Sequence, residues 1–317
     1  MLFERKQYQI EAYSRDDDWQ GRARKRQSDF REKILKVDAA PNSFSKDGTP
    51  HYYGNMITKE AAAEGKNFYG PVWEKIKNEK KMRKTSSPIC TNLLRSEHIP
   101  YNVFFPMKEN LRAATRLFQA LTGLDLVAVT DIRIEWPEMR RGETNIYIGD
   151  RTCFDTFVEY VDSQGKTCGI GIEVKYTEKS YKIGDKERKN IENRDSAYHK
   201  VTDRSGIFDY KGSNEYDFVN KELSKDKFRQ IWRNHILGLG MVQKGDLSHF
   251  LYIHLYPEFN KHFNEVIPEY QCLLSEEGMK TFLPLTYERL FNAIEKANFG
   301  KESDNWIKYL RERYIID

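Results

Sequence analysis

The sequence predicts an α/β protein. Three observations carry this: two strand-like runs frame a short turn at 153–176, single strands lie before and after them, and amphipathic helices flank the group at 103–121 and 224–241. In the first helix Leu111, Ala114, Leu117, Phe118 and Leu121 recur at helical spacing. Gly123 ends it. Residues 126–136 read as a strand stopped by Pro137. In the second helix Phe228, Ile231, Trp232, His235 and Leu239 share one stripe, which leaves Gln230, Arg233 and Asn234 outside it. Residues 249–256 form a last strand that ends at Pro257.

The paired runs are 153–162 and 167–176, joined by Ser163-Gln-Gly-Lys166. A hairpin that closes symmetrically about Gln164 sets Val161 against Thr167, Tyr160 against Cys168, Glu159 against Gly169, and Asp155 against Glu173. Opposed side chains have Cβ atoms roughly 5 Å apart. Strand alternation then puts Lys175 on the same face as Glu173, with Gly169 and Gly171 expected to keep that face open. Ile170, Ile172, Val174 and Tyr176 form an apolar stripe on the other.

Two adjacent carboxylates repel, which raises the pKa of at least one unless a cation neutralises them. A divalent metal is the natural partner. Oxygen ligands favour Mg²⁺, Mn²⁺ or Ca²⁺, and Mg²⁺ commonly takes one or two carboxylates while keeping several waters. Such a site suits phosphodiester hydrolysis, with Lys175 placed to hold the attacking water or neutralise developing charge. The tripeptide acid-x-Lys proves little alone, since it begins at Glu4, Glu64, Glu79, Glu173, Glu187 and Asp209. Only the copy at Glu173 sits in an apolar strand. The competing reading is an exposed cross-strand ion pair on a half-buried hairpin.

Helix, three strands with acids on the second and third, helix, strand: this order, with Asp155 and Glu173-Val174-Lys175, resembles the PD-(D/E)XK, or restriction-endonuclease-like, nuclease superfamily. The stretch Leu93-Leu-Arg-Ser-Glu-His-Ile-Pro-Tyr-Asn-Val-Phe-Phe-Pro-Met107, with Gln230-Ile-Trp-Arg-Asn-His235, is similar to a bacterial branch of restriction-endonuclease-related proteins. The resemblance implies a core with a central mixed β-sheet flanked by helices, carrying N-terminal and inserted elaborations. It implies a Mg²⁺-dependent phosphodiesterase site, with Mn²⁺ a substitute, and double-stranded DNA as substrate. Asp155 and Glu173 would bind the metal, the Val174 backbone carbonyl would add a ligand, and Lys175 would assist the water. Phe154 stands where the motif's name places a proline. A further acid from the first helix joins the metal in many relatives: Glu97 is the candidate here and Glu109 its rival. Gln230 matches a helix-borne glutamine that touches the site in relatives. A catalytically inactive DNA-binding module, and a nuclease for RNA or for branched or single-stranded DNA, are the alternatives.

Hydrophobic content of 39% and charged content of 32% describe a globular protein with a real core, and no apolar run is long enough to span a membrane. The start of the chain lacks an apolar signal region. Cys90, Cys153, Cys168 and Cys272 show no metal spacing and read as reduced thiols, so a cytoplasmic location is expected. The basic surplus is N-terminal, concentrated in Arg22-Ala-Arg24-Lys25-Arg26 and in 75–84 with Lys80, Lys81 and Lys84. These residues could hold phosphates, although a solvated helix face is the commoner meaning of such runs.

Domain organisation is expected as a basic region over 1–88 and a nuclease-like domain over 89–317. The former has turn punctuation at 42–50, a helix over 70–84 and a joint at 85–88. The latter carries an insertion over 177–221 and a helical C-terminal part. The insertion suits a substrate clamp, base contacts or a flexible lid. A homodimer suits an enzyme that cuts two strands, but no interface signature is visible. There is no P-loop, Gly238-Leu-Gly240 is too short for a dinucleotide fingerprint, and no Gly-x-Ser-x-Gly elbow is present. His249 and His254 lack a third ligand for zinc.

Overall fold

The computed structural model describes residues 9–301 and 303–316. The Glu4 copy of acid-x-Lys, and the start of the chain on which the signal argument rests, lie outside them. Two compact units are present. One comprises the chain up to Pro106, Tyr176–Glu178 and the chain from Gly300. The other comprises Met107–Lys175 and Lys179–Phe299. The joint expected at 85–88 falls inside the first.

The first unit opens with α1 (Asp18–Phe30), started by a capping box in which Asp17 accepts from the Gln20 N–H. A two-stranded ribbon follows, β1 (Ser43–Phe44) against β2 (Pro50–His51), at the expected turn. Short helices come next: α2 (Lys59–Ala63), α3 (Gly70–Ile76), α4 (Pro88–Thr91) and α5 (Ile99–Val103).

In the second unit α6 (Leu111–Thr122) begins later than the expected 103. Phe105–Glu109 is a 3₁₀ turn, and Asn110 caps α6 by accepting from the Ala113 N–H. Pro106 and that cap set the start, and Gly123 at φ 66° closes the end as expected. The central strands are β3 (Ala128–Trp136), β4 (Phe154–Val161), β5 (Thr167–Val174), β6 (Phe250–Tyr256) and β7 (Phe282–Thr286), in the order β3-β4-β5-β6-β7. The first three are antiparallel and β5, β6 and β7 are parallel, giving a mixed sheet.

The segment 177–221 is largely helical. It forms α7 (Asp185–Glu192), α8 (Ala197–Ser205) and α9 (Glu215–Phe218), and its Ile191, Tyr198, Val201, Phe208 and Phe218 are buried in the same apolar cluster as the next helix. That helix, α10 (Arg229–Lys244), is followed by α11 (Lys261–Gln271) and α12 (Glu276–Lys280). After β7 come α13 (Tyr287–Ala297) and, back in the first unit, α14 (Ser303–Tyr314), which packs on α1. The C-terminal part is thus not purely helical. Residues 282–286 hide a strand because Pro284 interrupts the pattern, yet it sits on an edge strand, where a missing donor is tolerated.

Helix α10 packs on β5 and β6, while α6 packs on β3 and α13 packs on β7 and α6. Ile170, Ile172, Val174, Leu251, Ile253 and Leu255, all on one sheet face, are buried. The other face is not open, contrary to expectation. A Cβ on Gly171 would lie 2.4 Å from the Phe154 ring, and one on Gly169 would lie 2.6 Å from the Phe157 ring. The glycines make room for aromatic rings rather than for solvent. Gly238 does the same from α10, where an added Cβ would lie 2.1 Å from the Phe250 ring. No helix among the described residues is long and apolar enough to cross a membrane.

Alanine is a better helix former than glycine, so Gly238→Ala would stabilise α10 if propensity decided. Overpacking decides instead, and we expect a loss of about 1–3 kcal/mol in urea unfolding.

Candidate active site

The hairpin closes in the expected register as far as Thr156, but Asp155 and Glu173 do not form a pair of the backbone ladder. Val161 pairs with Thr167, Tyr160 with Cys168 and Glu159 with Gly169, and the ladder runs on to Thr156 opposite Ile172. Asp162 holds the turn by accepting from the N–H groups of Gln164 and Lys166, and Gly165 takes φ 74°. One step past Thr156 the ladder is completed by a side chain: the Val174 N–H donates to Asp155 Oδ2 at 2.7 Å. Both backbone groups of a strand residue point the same way across the sheet, so the Val174 carbonyl also faces β4.

Glu173 and Lys175 are only 5% and 4% exposed, which removes the reading of a solvated ion pair. Lys175 Nζ is in close contact with Glu173 Oε1. Two amides from α10 complete the carboxylate: Gln230 Nε2 donates to Oε1 at 3.3 Å and Asn234 Nδ2 to Oε2 at 2.7 Å. Lys175 is fixed through its backbone, its N–H donating to the Leu255 carbonyl at 2.8 Å and its carbonyl accepting from the Tyr287 hydroxyl at 2.7 Å. Its ammonium lies 5.8 Å from the centre of the Tyr181 ring.

Charge at this spot is out of balance. Burial, and then the Glu173 charge, pushes the Asp155 carboxyl well above its ordinary range; Glu135 adds to this, and Lys175 and the Val174 N–H oppose it. Glu135 is the next-to-last residue of β3, at φ 56°, between the pairs Ile134–Thr156 and Trp136–Phe154. Beside Glu173 on β6 stands His254, held neutral by burial and then by the Lys175 charge. Its Nδ1 is 2.9 Å from the Tyr252 hydroxyl.

The residues present fit a divalent cation. Two carboxylates share one ammonium, so Asp155 and Glu173 are both readily ionised only if a further cation is present, and Asp155 has an oxygen beyond the one that accepts from Val174. Among the described residues no group of three or more His, Cys, Asp or Glu is arranged to hold a metal. A site here would therefore use two carboxylates, a backbone carbonyl and waters, a ligand set Mg²⁺ accepts.

Asn234 was missed by the amphipathic stripe, which placed it outside the core; it is 3% exposed. Its spacing from Gln230, one helical turn, was the available signal. Arg233, also expected outside, is bound on both sides. It donates to Asp150 Oδ2 at 2.7 Å and contacts Glu187, which also pairs with Arg229 at 2.6 Å. Asp150 accepts in turn from Tyr198 and Thr152. Arg233, Tyr198 and Thr152 together overcome burial and lower the Asp150 pKa. Through Glu187 and Tyr198 the inserted helices α7 and α8 brace the helix that carries Gln230 and Asn234.

Other expected residues are placed differently. Glu97 lies in the 3₁₀ turn Ser96–His98 of the first unit, exposed and paired with Arg95 at 2.6 Å; Ser96 provides no cap. Glu109 is exposed at the end of its own 3₁₀ turn. Arg24 and Arg26 do not form an open basic face: Arg24 chelates Asp16 and Arg26 donates to the Arg311 carbonyl. Arg22 is half-buried and Lys25 pairs with Asp29. Lys81 lies 4.4 Å from the centre of the Tyr101 ring, whereas Lys80 and Lys84 are exposed. All four cysteines are free.

No curated protein and no solved structure matches the chain significantly. A family model described as the PD-(D/E)XK nuclease superfamily matches residues 14–316, nearly the whole length. That superfamily comprises phosphodiester hydrolases that act on nucleic acids and generally use divalent metal ions. With an acid on β4, Glu-x-Lys on β5 and the mixed sheet that aligns them, the chain belongs to the PD-(D/E)XK nuclease superfamily.

Proposed function

We propose that the protein is a metal-dependent endonuclease that hydrolyses phosphodiester bonds of double-stranded DNA. The observation that carries this is the buried pair of Asp155 and Glu173 with only one ammonium between them, which a divalent cation would allow to ionise together. When bound, Mg²⁺ would polarise a phosphoryl oxygen and stabilise the leaving oxygen. Asp155 and Glu173 would hold it together with the Val174 carbonyl. Lys175 would donate a hydrogen bond to the attacking water and offset charge that develops on the phosphate. Gln230 and Asn234 keep Glu173 in one rotamer. Tyr252 and His254, both uncharged, line the strand beside it. The exposed Lys80 and Lys84 would meet phosphates away from the chemistry.

Four outcomes follow for the protein. Chelation should abolish cleavage of duplex DNA and added Mg²⁺ or Mn²⁺ should restore it. Asp155→Asn and Lys175→Ala should each lower the cleavage rate by about 100-fold or more, while duplex binding, followed by fluorescence anisotropy, persists. Cleavage equal to wild type in both variants would remove the enzymatic reading and leave a DNA-binding module. Asn234→Ala should cost about 1–3 kcal/mol of stability and slow cleavage without weakening DNA affinity. Replacing Lys80 and Lys84 together by Ala should weaken duplex binding evenly across sequences and reduce the slope of log K against log salt by about 2.

A further inference from the structure

The first unit contains a cavity of about 410 Å³ that the cleavage chemistry does not use. Its walls come from six separate stretches of chain, among them Thr177 and Glu178, which follow Lys175 by two and three residues. Three asparagines, Asn42, Asn55 and Asn92, share its polar side with Arg24, Arg95, Thr177 and Glu178. Asn55, 2% exposed, is the hub: its Oδ1 accepts from Arg24 at 2.6 Å and from Asn42 at 2.9 Å, and its Nδ2 donates to Asn92 Oδ1 at 2.7 Å. Asn92 Oδ1 also accepts from the Leu94 N–H at 3.0 Å. Its oxygen is therefore fully engaged, and its amide group is turned the other way with no partner among the described residues. The aromatic side is Tyr13 and Tyr53, with ring centres 4.8 Å apart, and the Arg24 guanidinium lies 5.0 and 5.8 Å from them. Arg24 is itself held by an ion pair with Asp16.

We propose that this cavity receives an unpaired nucleobase. Resting on the nuclease reading above, the inference makes the base part of the nucleic-acid substrate, so that the enzyme reads a base outside the duplex stack. The chemistry fits on three counts. Tyrosine rings and an arginine plane offer stacking surfaces that any base can use. An oriented amide donor selects among bases by the acceptors on their edges. A concave pocket of this size admits a base only when it is unstacked and unpaired, as in enzymes that flip a nucleotide into a pocket. A free nucleotide presents the same base and is the other source the test must separate.

The test uses the full chain with Asp155→Asn to prevent cleavage, and compares Asn92 with Asn92→Asp. That change keeps the oxygen that Asn55 and Leu94 need and replaces the free donor by an acceptor. Duplexes with a single unpaired A, C, G or T, and the four mononucleotides, are titrated by fluorescence anisotropy and competition. The expected result is a base-selective change: affinity for the preferred unpaired base falls about 10-fold or more, and the order of preference among the four is altered. Tyr53→Leu should weaken all four. An unchanged order of preference, or an equal loss for every base that vanishes with added salt, would overturn the proposal. Selectivity confined to mononucleotides would also overturn the substrate assignment. If wild type cleaves DNA while Asn92→Asp leaves base preference intact, this inference alone fails. If base preference shifts while wild type shows no metal-dependent cleavage, the catalytic reading alone fails.

Discussion

The arrangement of the second unit turns on one constraint: Glu173 and Lys175 are charged and almost fully buried. Charges are seldom buried without partners, because their desolvation must be offset locally. Lys175 answers one Glu173 oxygen and the amides of Gln230 and Asn234 answer the rest. Those amides reach the sheet only if α10 lies close to it, which Gly238 permits by yielding space to Phe250. The helix is then locked from its outer side by Arg233, Asp150 and Glu187. Removing any one of these supports leaves a buried charge less than satisfied.

Much of this was legible in the sequence, and the part that was not has physical reasons. The register of β4 against β5 followed from period-two alternation about a short polar turn, which is a local property. The environment of α10 was not local. A stripe of large apolar residues marks one buried face, but the inserted helices cover other faces as well, so Asn234 and Arg233 are enclosed by groups remote in sequence. Gly169 and Gly171 looked like empty space because a glycine's neighbours cannot be read from its own strand. The basic cluster at 22–26 illustrates the same limit: Asp16, Asn55 and the Arg311 carbonyl claim its arginines through tertiary contacts that no charge count reveals. Glu135 was passed over because it stands on the strand before the motif, where only the pairing with β4 brings its charge to bear on Asp155.

The two units divide the chemistry differently. The second holds acids, an ammonium and amides on a rigid sheet, a setting suited to fixing charge. The first is made of short helices and turns joined by side-chain amides, with Asn42, Asn55 and Asn92 tying three loops together. Such amide clusters present donors and acceptors at fixed angles without net charge, which is what discrimination between similar neutral surfaces requires. Tyr176, Thr177 and Glu178 follow Lys175 directly in sequence, so the strand that carries Glu173 and a wall of the cavity are consecutive pieces of one backbone.

Pro284 has a bearing on assembly. Just before β7 the carbonyl of Thr281 accepts from the Tyr252 N–H, so the odd-numbered residues of β7 turn their backbone groups to β6 and Pro284 presents its backbone nitrogen to the free edge. An incoming strand would find no donor at the middle of this short edge and would have to forgo a hydrogen bond there. Sheet-to-sheet joining of two copies through β7 is thereby disfavoured, and the same proline guards the exposed border of the sheet against fibril-like stacking.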